Sequence, residues 1–237
     1  MALLLKNETI FLHIPKTGGT WVRDCLRDAN SIITNLPGKH ANISRLNGFW
    51  LRNPIRYMRK SAKVGENINQ TIDKSFVFCF VRNPYDWVKS FYKYQEQKNW
   101  VNWKGPSSWM GSWHPTSKLN QAEAETFESF LQIITHEHSE FITRMYGNYT
   151  RRADFVGKTE YLVEHLVHVL QKREIRFDES KIRKKVPSNT TSNRSVFASE
   201  KTIRAFCDTE KKAFEDYGYD IENTIRRVIS DKSVVDE

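Results

Sequence analysis

Cysteine is scarce. The 237-residue chain has three, Cys25, Cys79 and Cys207. They are isolated, which excludes a disulfide framework and a zinc ribbon. Cys25 and Cys79 sit in apolar patterns and read as buried thiols. The histidines form no metal set: His136 and His138 diverge on a predicted helix, and His165 and His168 can face together but lack further ligands. No metal is therefore expected. No apolar run is long enough for a membrane span, and Met1 to Leu5 is too short for a signal core. A cytoplasmic protein without a membrane span is expected. In that setting the Asn-x-Ser/Thr sites at Asn148 and Asn189 carry no meaning. No internal repeat is visible.

What is present suits a folded enzyme-sized core. Hydrophobic residues make up 39% and aromatic residues 13% of the chain, so it is globular rather than disordered. The length fits one domain over residues 1–237. The formal charge of +9 points to an anionic partner, which could be nucleic acid, a membrane surface or small anions.

The segment Ile10-Phe-Leu-His-Ile-Pro-Lys-Thr-Gly-Gly-Thr-Trp21 has the layout of a phosphate cradle. Ile10 to Ile14 is an apolar strand that Pro15 stops. Gly18 and Gly19 let the backbone approach an anion. A helix from about Gly19 puts Trp21, Val22, Cys25 and Leu26 on one face and aims its N-terminal dipole back at the turn. Lys16 adds a full charge, and Thr17 and Thr20 add hydroxyls. The nucleotide P-loop has its Lys after the second Gly; here Lys16 comes before both.

A second segment, Phe76-Val-Phe-Cys-Phe-Val81, is a continuous apolar run suited to a central parallel strand. It ends in Arg82-Asn-Pro-Tyr-Asp86, where Pro84 and Asp86 favour a helix N-terminus. The helix continues through Trp87, Val88, Phe91 and Tyr92 and includes Ser90. A third strand-to-helix step, Asp154-Phe-Val-Gly-Lys-Thr-Glu160, leads to Leu162, Val163, Leu166, Val167 and Leu170 on one helix face and reads as scaffold.

The string His-Ile-Pro-Lys-Thr-Gly-Gly-Thr resembles the 5′-phosphosulfate loop of sulfotransferases that use PAPS (3′-phosphoadenosine 5′-phosphosulfate). The likeness is to the branch with heparan sulfate 2-O-sulfotransferases and bacterial relatives. Arg-Asn-Pro-Tyr-Asp and the following serine resemble the 3′-phosphate element of that family. The resemblance implies an α/β, P-loop-like three-layer sandwich with a central parallel sheet. It implies PAPS as donor and PAP as product, and a hydroxyl or amine acceptor, for example on a carbohydrate. Lys16, Thr17, Gly18, Gly19, Thr20, Trp21, Arg82 and Ser90 would bind the donor, and Lys16 would also act on the bridging oxygen. A polyanionic donor accounts for part of the positive charge without nucleic acid.

Proton removal from an acceptor calls for a base, and histidine suits neutral pH. By resemblance to a Lys-His-Ala string, the base is His40 in Gly38-Lys-His-Ala41. His13 is expected to support the turn, while His114, Glu66 and Glu96 are further candidates. Four of the seven tryptophans fall between Trp100 and Trp113, within a loop insertion at about 97–120. They form either a sugar platform or loop packing. Elsewhere, a short strand is expected at Ser31 to Thr34 and a basic, irregular stretch at Asn47 to Asn69. A helical region is expected from about Thr126 to Tyr146, in two pieces around His136 to Ser139, and a basic, polar loop at Lys181 to Ser195, whose Lys185 to Arg194 by resemblance hold the adenine and the other side of the 3′-phosphate. A helix is expected from Ser199 to Tyr217, capped by Gly218. A P-loop kinase and a non-catalytic polyanion-binding module remain alternatives.

Overall fold

The computed structural model describes residues 2–38, 40–47, 68–98, 100, 114–119, 122–186 and 196–233. These form two compact units. One comprises Met1–Val81 and Gly147–Asn189, the other Arg82–Tyr146 and Thr190–Glu237.

The first unit is built on a sheet of β1 (Leu3–Leu5), β2 (Thr9–Leu12), β3 (Ile32–Asn35), β4 (Phe76–Val81) and β5 (Phe155–Lys158). The five strands lie in the order β3-β1-β2-β4-β5. The β2–β4 and β4–β5 pairs are parallel, while β1 runs against both β2 and β3. The α/β class and a central, mostly parallel sheet flanked by helices therefore stand. β1 modifies the fully parallel expectation. Its three leucines are fully buried between two neighbours rather than forming a tail.

The β4 run Phe-Val-Phe-Cys-Phe-Val is apolar on both sides because both faces of the strand are covered. Alternation sends Phe78 and Phe80 to one face. There they join Leu3, Leu5 and Phe11 in a core with α1 (Gly19–Asp28) and α7 (Leu162–Lys172). Val77 and Cys79, on the other face, are also fully buried. Two short helices, α2 (Ile43–Asn47) and α3 (Ile68–Lys74), precede β4. Asp154 locks the start of β5 to β4: its N–H donates to the Val77 carbonyl at 2.7 Å, and its carboxylate accepts from the Val77 N–H at 2.7 Å. At the far end, Thr159 Oγ1 donates to the Val81 carbonyl at 2.8 Å.

The second unit is helical. Asn83 caps α4 (Pro84–Gln97) by accepting from Tyr85 N–H and Asp86 N–H, and its amide donates to Thr224 Oγ1 at 2.9 Å. Among the described residues its other helices are α5 (Phe127–Glu137), α9 (Glu200–Thr209), α10 (Lys211–Asp216) and α11 (Ile221–Ser233). Helix α6 (Phe141–Thr150) gives its residues up to Tyr146 to this unit and those from Gly147 to the first. The break predicted around His136 to Ser139 separates α5 from α6.

The predicted helix from Ser199 to Tyr217 is instead two, interrupted at Glu210. That carboxylate accepts from Ile142 N–H and Thr143 N–H, each at 2.9 Å, and so caps the start of α6. Gly218, with φ 62°, ends α10 as expected. Part of the predicted 181–195 loop is also helical. Residues Glu179–Lys184 form α8, capped by Asp178, and 187–195 lie outside the described residues.

Of the tryptophan-rich stretch, Trp100 is described. It packs on Tyr92 and Phe130, with ring centroids 5.8 and 5.4 Å away. Trp103, Trp109 and Trp113 lie outside the described residues, as do Glu66 and most of the basic 47–69 stretch. Among the described residues no helix is long and apolar enough to cross a membrane.

Candidate active site

The turn after β2 is shaped by two left-handed residues. Lys16 has φ 64° and Gly18 has φ 75°. The first is uncommon outside glycine, and such sequences of backbone N–H groups make concave anion sites. Gly18 is the N-cap of α1, and no side chain caps that helix. Its first turn holds no acidic residue. The N-terminal amides and positive dipole end are therefore suited to an external anion.

The two glycines have different reasons to be there. A Cβ on Gly18 would lie 2.7 Å from the Leu162 side chain, in addition to the unfavourable φ. A Cβ on Gly19 would lie 1.9 Å from His13 Cδ2. His13 thus lies against the turn, the supporting place expected for it. The Thr17 hydroxyl donates to the Ile14 carbonyl at 3.0 Å and closes the turn internally. The Trp21 indole is buried and donates to the Lys185 carbonyl at 3.0 Å. What Thr17 and Trp21 have for an anion at the turn is main-chain N–H.

His40 joins this group from the loop after β3. It is only 7% exposed, and its Nδ1 lies 2.9 Å from the His13 carbonyl oxygen. A carbonyl can only accept, so Nδ1 carries the proton and the lone pair of the neutral ring is on Nε2. The His13 and His40 ring centroids are 4.6 Å apart. The Tyr149 hydroxyl donates to the His40 carbonyl at 2.5 Å. Phosphate-type cradle and candidate base, distant in sequence, are therefore adjacent within the first unit.

In the second unit, Arg82 is half-buried and Ser90 is buried on α4. The Asp86 carboxylate pairs with Arg227 at 2.7 Å. Lys93 has its pKa lowered, first by burial and then by the charge of Lys89, with Arg82 adding to the effect. The Glu96 carboxylate acts against this and raises it, so Lys93 stands among charges of both signs. The spacing of Lys89 and Lys93 on a predicted helix could have revealed their shared face.

The remaining base candidates are less suited. His114 Nδ1 accepts from the Thr116 N–H at 3.3 Å and lies 2.9 Å from the Thr116 hydroxyl, within its own turn. Glu96 is half-buried near the end of α4. Lys185, at the start of the expected adenine loop, pairs with Asp28 at 2.6 Å near the C-terminal end of α1. That end is opposite the helix terminus at the cradle.

A family model of the sulfotransferase family matches residues 5–222. No curated protein and no solved structure matches the chain.

Proposed function

The chain belongs to the sulfotransferase family, and from that premise we propose that it moves the sulfuryl group of PAPS to a hydroxyl or amine acceptor. The observation that carries this reading is the cradle itself. It combines an uncapped helix N-terminus, a turn in which Gly19 must be glycine because His13 fills the adjacent space, and a histidine with its proton on Nδ1 beside it.

The turn amides from Thr17 to Trp21 and the Lys16 ammonium hold the 5′-phosphosulfate. The guanidinium of Arg82 and the hydroxyl of Ser90 hold the 3′-phosphate, since a planar fork matches phosphate oxygens. His40 Nε2 takes the proton of the acceptor as its oxygen or nitrogen attacks sulfur in line. The bond from sulfur to the bridging phosphate oxygen breaks, and PAP leaves. Lys16 stabilises the charge that develops on that bridging oxygen. Holding donor and acceptor in line supplies the rest. No metal takes part in these steps.

A carbohydrate is the acceptor class we favour, in keeping with the branch whose loop the cradle resembles. The test is transfer of radiolabelled sulfuryl from PAPS to a panel of desulfated polysaccharides, phenols and amines, with Lys16→Ala and Arg82→Ala as controls. Labelled product from the wild type that falls roughly tenfold or more in both variants at sub-saturating PAPS supports the reading. Transfer at the wild-type rate in both variants removes it.

A further inference from the structure

Helix α6 carries two buried tyrosines, Tyr146 and Tyr149, spaced to fall on one face. In the second unit, the Tyr146 hydroxyl donates to the Arg82 carbonyl at 2.9 Å and accepts from the Arg82 N–H at 3.3 Å. One phenol oxygen thus closes on both polar groups of a single residue and fixes its φ and ψ. In the first unit, the Tyr149 hydroxyl donates to the His40 carbonyl at 2.5 Å while the His40 ring donates to the His13 carbonyl at 2.9 Å. His40 is therefore held at its main chain and at its ring.

Packing alone does not call for these hydroxyls. Phenylalanine would fill nearly the same volume without the cost of taking a polar group out of water. Both hydroxyls are committed to main chain at residues that the proposed reaction uses. Burial also pushes the Tyr149 phenol above the usual tyrosine range, so it stays a neutral donor.

We infer that Tyr146 and Tyr149 are positioning residues that act through Arg82 and His40, Tyr146 on donor binding and Tyr149 on the step in which the acceptor loses its proton. This rests on the PAPS reading above. The two roles separate in measurement, because one residue fixes a binding group and the other a reacting group.

The experiment uses the full chain with Tyr146→Phe and Tyr149→Phe. Calorimetry gives the PAP dissociation constant, and conversion of PAPS to PAP and sulfate, with water in the place of the acceptor, gives turnover. Melting temperature reports the fold. Tyr146→Phe is expected to weaken PAP roughly five- to tenfold, as loss of a structured hydrogen bond does, while turnover at saturating PAPS changes little. Tyr149→Phe is expected to leave PAP affinity unchanged and to slow turnover by about 10- to 100-fold, the scale of a misplaced reacting group. Either variant matching the wild type in both measurements overturns the inference, as does a loss of both quantities in step with melting temperature. A wild-type protein that neither binds PAP nor converts PAPS removes the donor reading instead, and shows it before any variant is compared.

Discussion

The His13 ring occupies the space into which any side chain at residue 19 would grow. A Cβ there would stand 1.9 Å from His13 Cδ2 and 2.3 Å from Nε2. The same His13 accepts from His40 through its carbonyl, so the turn and the candidate base share one support.

Gly19→Ala should therefore displace His13 and, with it, His40. The expected cost is roughly 1–3 kcal/mol of stability, as for overpacking, together with loss of PAP binding. Adding His13→Ala should restore much of the stability because it removes the clashing ring. Thermal melting of the two single variants and the double variant gives the coupling. Additive losses would contradict the shared-support account.

Substitutions at the proposed donor and base residues should separate binding from chemistry. Arg82→Ala should weaken PAP about 10- to 100-fold, since hydrogen bonds to charged groups contribute about 1.5–3 kcal/mol. His40→Gln should leave PAP affinity nearly intact and lower turnover about 10²- to 10⁴-fold, the range for general base catalysis. Calorimetry and initial rates check both. A His40→Gln protein with wild-type turnover would send the search for a base elsewhere.

Much of this site is legible in the sequence because its logic is local. The strand, Pro15, the glycines and α1 follow one another within a single supersecondary unit, and Asn83 and Pro84 stand directly before and at the start of the helix they begin. What escapes is set by long-range contacts. Tyr146 and Tyr149 look like ordinary helix-face aromatics until their hydroxyls are seen on Arg82 and His40. β1 is a short apolar triplet that becomes a strand because β2 and β3 bracket it. α8 lies in a basic stretch whose charges suggest a solvated loop, yet Asp178 caps it and Ile182 is buried. Glu210 interrupts the predicted last long helix because its carboxylate is required at the start of α6.

Glu210 also gives a pH dependence. Burial raises its pKa above the ordinary 4.5, against the lowering effect of its hydrogen bonds from Ile142 and Thr143. Between the unfolded and folded values the folded chain binds more protons than the unfolded chain. This contribution to stability is therefore fully present below the unfolded value and is lost as pH rises through the folded one. Glu210→Gln should lower stability by about 1 kcal/mol through the lost bond to Thr143 and should flatten that decline. Melting temperature followed upward from pH 4 checks it. A wild-type melting temperature that climbs through the window relative to the variant would reverse the assigned sign.

The thiols should be inert in the native protein. Burial pushes Cys25, Cys79 and Cys207 each up to about 12, and the thiolate is the reactive form. An aromatic disulfide reagent at pH 8 should titrate none of them in the folded chain and all three in guanidinium. Rapid labelling of a native thiol would show that its site opens without global unfolding.

The most direct test of the central claim is calorimetric titration of the wild-type chain with PAP, in parallel with ATP and without added metal. Under the proposed donor site PAP should bind tightly and ATP weakly, because PAP carries the 3′-phosphate proposed for Arg82 and Ser90 and ATP does not. Equal binding of the two, or nucleic-acid binding that PAP does not displace, would contradict it.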